Sequence, residues 1–98
     1  MEIVINDSAL KWFKEEVEVP KGKKVKFHPK VYGNSPVQEG FSLAFSLDDY
    51  MLDPETLTEL GGITFFVEET DSWFFKGHNL HVKYDEKVEE LIYTYKLP

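Results

Sequence analysis

Phe41-Ser42-Leu43-Ala44-Phe45-Ser46-Leu47 alternates large apolar residues with small ones along its whole length. A period of two places Phe41, Leu43, Phe45 and Leu47 on one side of a β-strand. The other side carries only Ser42, Ala44 and Ser46, small enough for a neighbouring element to crowd it. No other segment states its conformation as clearly, and the remaining segments are read outward from it.

Upstream, Lys23 to Phe27 alternates in the same way, with Val25 and Phe27 on one face and Lys24, Lys26 and His28 on the other. Pro29 has no N–H for a sheet ladder, so this strand is expected to be an edge, to bulge, or to break there. Between the two strands lies Tyr32-Gly33-Asn34-Ser35-Pro36-Val37-Gln38-Glu39-Gly40. The connection is longer than a plain hairpin requires, and long loops on a rigid scaffold are where binding residues concentrate. Tyr32, Gly33, Asn34, Ser35 and Gln38 are therefore the candidate binding loop. At the chain start, Glu2 to Ile5 reads as a short strand. Asn6, Asp7 and Ser8 then offer N-caps to an amphipathic helix with Ala9, Phe13 and Val17 at i, i+4 spacing. Pro20 and Gly22 are expected to end that helix, and Trp12 to cover the edge of the core.

Downstream, Gly61-Gly62 joins Thr56–Leu60 to Ile63–Val67 as a two-residue hairpin. Thr70-Asp71-Ser72 followed by Trp73-Phe74-Phe75 and Gly77 reads as a short helical turn with a glycine stop. Two further strands follow, one carrying Leu80, Val82 and Tyr84, the other Leu91, Tyr93 and Tyr95. The expected fold class is α+β, mostly antiparallel or mixed strands in a folded, sandwich-like arrangement, with one N-terminal helix and the short helical turn. Residues 1–98 are expected to form one domain, near the modal domain length.

Composition narrows the chemistry. Eighteen acidic residues against 11 basic ones give a formal charge of −7, which repels phosphate backbones and argues against nucleic acid and anionic membranes as partners. No apolar run is long enough to span a bilayer and no signal peptide is apparent, so a cytoplasmic location is expected. The chain has no Cys, which removes disulfides, thiolate nucleophiles and thiolate metal ligands together.

The polar constellations point to no catalysis. His78 and His81 are spaced for opposite faces of a strand, and His28 lies elsewhere among lysines, so nothing in the spacing makes the three converge on a metal. The pairs Asp48-Asp49, Glu68-Glu69 and Glu89-Glu90 read as solvated surface. Ser35, between Asn34 and Pro36, has no nucleophile-elbow pattern. Gly33 and Gly61-Gly62 build no phosphate-cradling loop. At least two of Trp73, Phe74 and Phe75 are expected in the core. The expectation is a non-enzymatic protein without a cofactor.

Several of these features, taken in order, resemble the HesB/IscA-like family of iron–sulfur cluster biosynthesis, in its small YneR-like branch. They are Gly62-Ile63-Thr64-Phe65-Phe66-Val67, Asp71-Ser72, Phe75-Lys76-Gly77, Leu80 and Asp85, with Lys23–Phe27, the Tyr32–Gly40 loop and the Asn6-Asp7-Ser8-Ala9 helix start upstream. The resemblance implies a HesB-like fold, a homodimer, and a protein partner in iron–sulfur assembly. It also places Asn34 where family members carry a ligand cysteine, while Lys96-Leu97-Pro98 stands where they carry a cysteine-Gly-cysteine tail. Without those thiolates the resemblance implies an adaptor or ligand-binding module rather than a cluster carrier. The alternative expectation is mononuclear iron or another divalent metal held by His28, His78, His81 and carboxylates.

Overall fold

The computed structural model describes residues 1–98, and seven strands and two helical segments form two sheets around a shared core. Strands β1 (Ile3–Ile5), β6 (Asn79–Asp85) and β7 (Glu90–Lys96) make one sheet in the order β1-β6-β7. Strands β2 (Lys24–Lys30), β3 (Ser42–Asp48), β4 (Pro54–Leu60) and β5 (Ile63–Glu68) make the other, in the order β3-β2-β5-β4. Helix α1 (Asp7–Trp12) continues into a π-helical turn, Phe13–Val17, and a 3₁₀ segment, Glu69–Phe75, links the second sheet to β6.

The local signals explain most of these elements. Asn6 caps α1, its Oδ1 accepting the Ser8 backbone N–H at 2.9 Å. The cap also ties the helix to the first sheet: Asn6 N–H donates to the Val82 carbonyl, and the Ser8 hydroxyl accepts the Tyr84 N–H. Ala9 and Phe13, one turn apart, are fully buried. Phe13 packs edge-on against Trp12, Phe45 and Phe65, so it joins the helix to both strands of the larger sheet that carry those phenylalanines. The helix ends earlier than Pro20 and Gly22 suggested. Glu18 turns left-handed at φ 52° and closes on the Phe13 carbonyl, leaving Val19 to Pro20 outside the helix.

Gly61 and Gly62 both sit at positive φ and pair Leu60 with Ile63 across a tight hairpin. A Cβ at Gly61 would meet only the mobile end of Lys14, Cε at 2.7 Å, so it is the positive φ of the turn rather than crowding that favours glycine there. The 3₁₀ segment buries Phe74 and Phe75 completely, leaves Trp73 48% exposed, and stops on left-handed Lys76 and Gly77.

The sheets are mixed, one of the two forms the sequence left open: β1 runs parallel to β6, and β2 parallel to β5. Of the edge, bulge or break expected at Pro29, the structure has a local edge: β2 runs straight through Pro29, which faces Leu43 in β3. Only Val25 and Lys26 of β2 pair with β5, so at Pro29 the strand has a neighbour on one side only and its missing N–H leaves no ladder gap on the other. The core gathers 15 buried residues from both sheets, α1 and the 3₁₀ segment, and includes Val37 from the long loop.

Candidate functional site

The loop from Tyr32 to Gly40 is held by its own polar side chains. Asn34 Oδ1 accepts the Gly40 N–H at 2.8 Å. The Ser35 hydroxyl accepts the Gln38 N–H at 3.0 Å, while Ser35 N–H donates back to the Gln38 carbonyl. Ser42 Oγ donates to the Tyr32 carbonyl at 2.8 Å. Gly33 lies at φ 98°, and a Cβ there would stand 3.0 Å from Ser42 Oγ. Val37 inserts into the core at 7% exposure. Gln38 Nε2 reaches the Trp73 carbonyl, and Phe41 packs edge-on against the Trp73 ring. Of the five candidate residues, Tyr32, Gly33 and Asn34 are exposed, Tyr32 to 86%, while Asn34, Ser35 and Gln38 spend hydrogen bonds on holding the loop together.

The loop forms one end of a cleft. The two sheets lie close where β1 passes β4. On the opposite side, the edge strands β3 and β7 leave an open groove between them. Its loop end, about 250 Å³, is lined by Asn34, Ser35 and Pro36 together with Leu43, Leu91 and Tyr93. Its far end, about 400 Å³, shares Leu43, Leu91 and Tyr93 and adds Phe45, Trp12 and the carboxylates Glu89 and Glu90. Burial holds the Tyr93 phenol well above the usual tyrosine range and pushes Tyr95 up to about 12. Both phenols therefore stay neutral at ordinary pH, and the wall shared by both ends, Leu43, Leu91 and Tyr93, is apolar, while Lys30, Glu89 and Glu90 line the far end only. Two edge strands with free backbone groups flank an apolar trough, which suits association with another polypeptide. Alternation alone shows Leu91, Tyr93 and Tyr95 on one side of β7. That this side opens toward β3 depends on the packing of the sheets.

No acid–base or metal constellation accompanies the cleft. His28 Nδ1 lies 3.2 Å from the Pro29 carbonyl, His78 Nδ1 lies 2.8 Å from the Phe75 carbonyl, and His81 is on the outer face of the smaller sheet. No three His, Asp or Glu side chains converge as metal ligands, so the divalent-metal alternative is corrected: the histidines are dispersed over different elements. Glu68 also departs from the expectation of a solvated residue. It is 8% exposed, and its two carboxylate oxygens accept the Leu52 and Asp53 N–H groups at 2.9 and 3.1 Å. It pins the β3–β4 connection and faces no cleft. No helix of the chain is long and apolar enough to cross a membrane.

Comparison with known proteins gives the family. No family model matches the chain. The chain is 41% identical, over 98% of its length and 100% of the relative's, to a Bacillus subtilis protein named Pyruvate dehydrogenase inhibitor. It is 36% identical, with the same coverage, to an uncharacterised protein of Staphylococcus saprophyticus, and 29% identical to uncharacterised Staphylococcus aureus proteins. The chain belongs to the family that contains the Bacillus subtilis inhibitor. This corrects the HesB/IscA-like assignment and the iron–sulfur assembly function and partner drawn from it, since the relative is named for inhibition of a dehydrogenase and no family model supports the other reading. The α+β class stands; its HesB-like refinement rested on turn glycines and packing residues, which many folds share. The named relative is by its name a regulator rather than an enzyme, in line with the non-enzymatic expectation.

Proposed function

We propose, on the premise of that family membership, that this chain is a non-enzymatic cytoplasmic regulator that binds a pyruvate dehydrogenase component and lowers its activity. The observation that carries the reading is the 41% identity running end to end with the Bacillus subtilis inhibitor. Residues 1–98 act as one binding unit. The contact surface is the β3–β7 cleft with the Tyr32–Gly40 loop at its end. Tyr32, 86% exposed, is the loop's contact residue; Gly33, Asn34, Ser35 and Gln38 hold the loop in shape.

Physical support comes from size and polarity. A stable protein contact covers roughly 800 Å² on each partner, against a total surface of 6141 Å² here. The cleft offers Leu43, Phe45, Leu91 and Tyr93, and the exposed rings of Tyr32 and Trp73 add aromatic anchors, the residue types that dominate association energies. A charge of −7 sets a protein above a nucleic acid or an anionic membrane as partner.

The test is titration of a purified pyruvate dehydrogenase complex with the chain, followed by pyruvate oxidation and by calorimetry. Saturable binding with loss of activity is expected. Full activity and no binding heat at a large excess of the chain would end the proposal. Leu91→Glu, which places a charge on the half-buried cleft wall, is expected to weaken binding at least about tenfold.

A further inference from the structure

We infer that the Trp12 end of the cleft receives a basic side chain of the partner, beside an apolar side chain seated between β3 and β7. The partner segment is therefore extended, with Leu, Ile or Val and Arg or Lys two residues apart, the spacing that puts both on one side of an extended chain. The inference rests on the protein-binding reading above and specifies the partner's chemistry.

Trp12 divides two hollows. Its indole stacks on the Tyr84 ring, centroids 5.3 Å apart and planes 15° from parallel. On one side lies the apolar end of the cleft, with Leu43, Phe45, Leu91 and Tyr93. On the other lies a hollow of about 170 Å³ walled by the Trp12–Tyr84 pair and by Glu15, Glu16 and Glu86. Glu89 and Glu90 stand at the cleft mouth beside them. The cations nearby are Lys11, held by Glu15 at 3.9 Å, Lys30 at the cleft, and Lys83 and Lys87, which line the adjoining hollow with Tyr84, Asp85 and Glu86. Carboxylates thus outnumber cations around one aromatic pair, and those of Glu89, Glu16 and Glu86 add to desolvation in holding the Tyr84 phenol above its ordinary value.

This setting selects its occupant. An acidic segment is repelled. A bare metal ion finds no converging ligands. A guanidinium or ammonium gains the field of the carboxylates and lies against the aromatic pair, and its alkyl stem continues the apolar wall toward Leu91. The edge strands β3 and β7 are each paired on one side only, so an extended backbone can add to either while its side chains alternate into the cleft.

The experiment titrates the isotopically labelled chain with a synthetic peptide in which Leu and Arg alternate with Ser, and with a counterpart carrying Glu for Arg. Saturable shifts of the Trp12 indole N–H and of the Leu91 and Tyr93 amides are expected with the Arg peptide alone. The triple variant Glu16→Gln, Glu86→Gln and Glu89→Gln, all at exposed positions, should bind it about tenfold more weakly. Equal shifts with both peptides, shifts confined to other surfaces, or unchanged affinity in the triple variant would overturn the inference. So would light scattering that shows a second copy already seated in the cleft. The same triple variant titrated into the pyruvate dehydrogenase complex separates the two readings. A chain that takes the Arg peptide at Trp12 but ignores the complex sinks the proposed target and leaves this site standing. A chain whose inhibition of the complex survives the triple variant unchanged sinks this site and leaves the target standing.

Discussion

Val37→Ala is the substitution that most directly tests whether the long loop is anchored by the core or only by its own hydrogen bonds. Val37 is 7% exposed and belongs to the 15-residue core cluster, although its neighbours Pro36 and Glu39 are exposed. Removing its two γ-methyls gives up about 1.6 kcal/mol of transfer free energy, at ~0.8 kcal/mol per buried carbon. The space left behind adds to that, for a total of about 2 kcal/mol. Against a stability of about 5–15 kcal/mol for a natural domain, the chain stays folded. The loss is expected to appear first where the anchor acts. Amide exchange at Ser35, Gln38 and Gly40, whose N–H groups close the loop on Gln38, Ser35 and Asn34, should accelerate by about thirtyfold. A urea titration gives the global loss. Val82→Ala in β6, at 1% exposure, is the control: it should lower global stability without selectively freeing those three amides. If Val37→Ala leaves their exchange unchanged, the loop is held by its polar bonds alone and the anchoring argument fails.

Other expected outcomes follow from single contacts. Glu68→Gln keeps the side-chain shape but turns one carboxylate oxygen into a donor, facing the Leu52 or Asp53 N–H. It should cost about 1–3 kcal/mol in urea unfolding and expose those two amides to exchange; protection equal to the parent would remove the clamp role. Gly33→Ala combines a left-handed φ with a 3.0 Å approach to Ser42 Oγ, so a loss of roughly 1–3 kcal/mol and a lower Tm are expected from calorimetry. Tyr95 and Tyr93 titrate above the ordinary tyrosine value of 10.0. The folded chain then keeps phenolic protons that the unfolded chain loses. Stability from this source is complete below pH 10 and declines as pH rises through about 12. Urea midpoints across that range should fall in step, and Tyr95→Phe should flatten the decline; a midpoint independent of alkaline pH would contradict the burial of both rings.

The elements themselves were legible because their causes are local. The alternation of Phe41 to Leu47, the glycine pair at 61 and 62, the Asn6 cap and the Ala9–Phe13 stripe each follow from steric and hydrogen-bonding rules acting over a few residues. Composition likewise pointed to a non-enzymatic chain, because missing thiols hold for any fold. What escaped the sequence depends on partners far along the chain. Pairing β1 with β6 and β2 with β5 in parallel joins segments distant in sequence, and no local signal encodes it. Glu68 looked solvated until the Leu52–Asp53 backbone closed over it. Asn34 looked free to bind until its amide oxygen took the Gly40 N–H. The cleft is the clearest case. Leu43 and Phe45 on β3, and Leu91 and Tyr93 on β7, each read as an ordinary buried face by period two. Whether such faces meet in a closed core or stand apart as a binding trough depends on where the two sheets touch, and only the tertiary structure decides that.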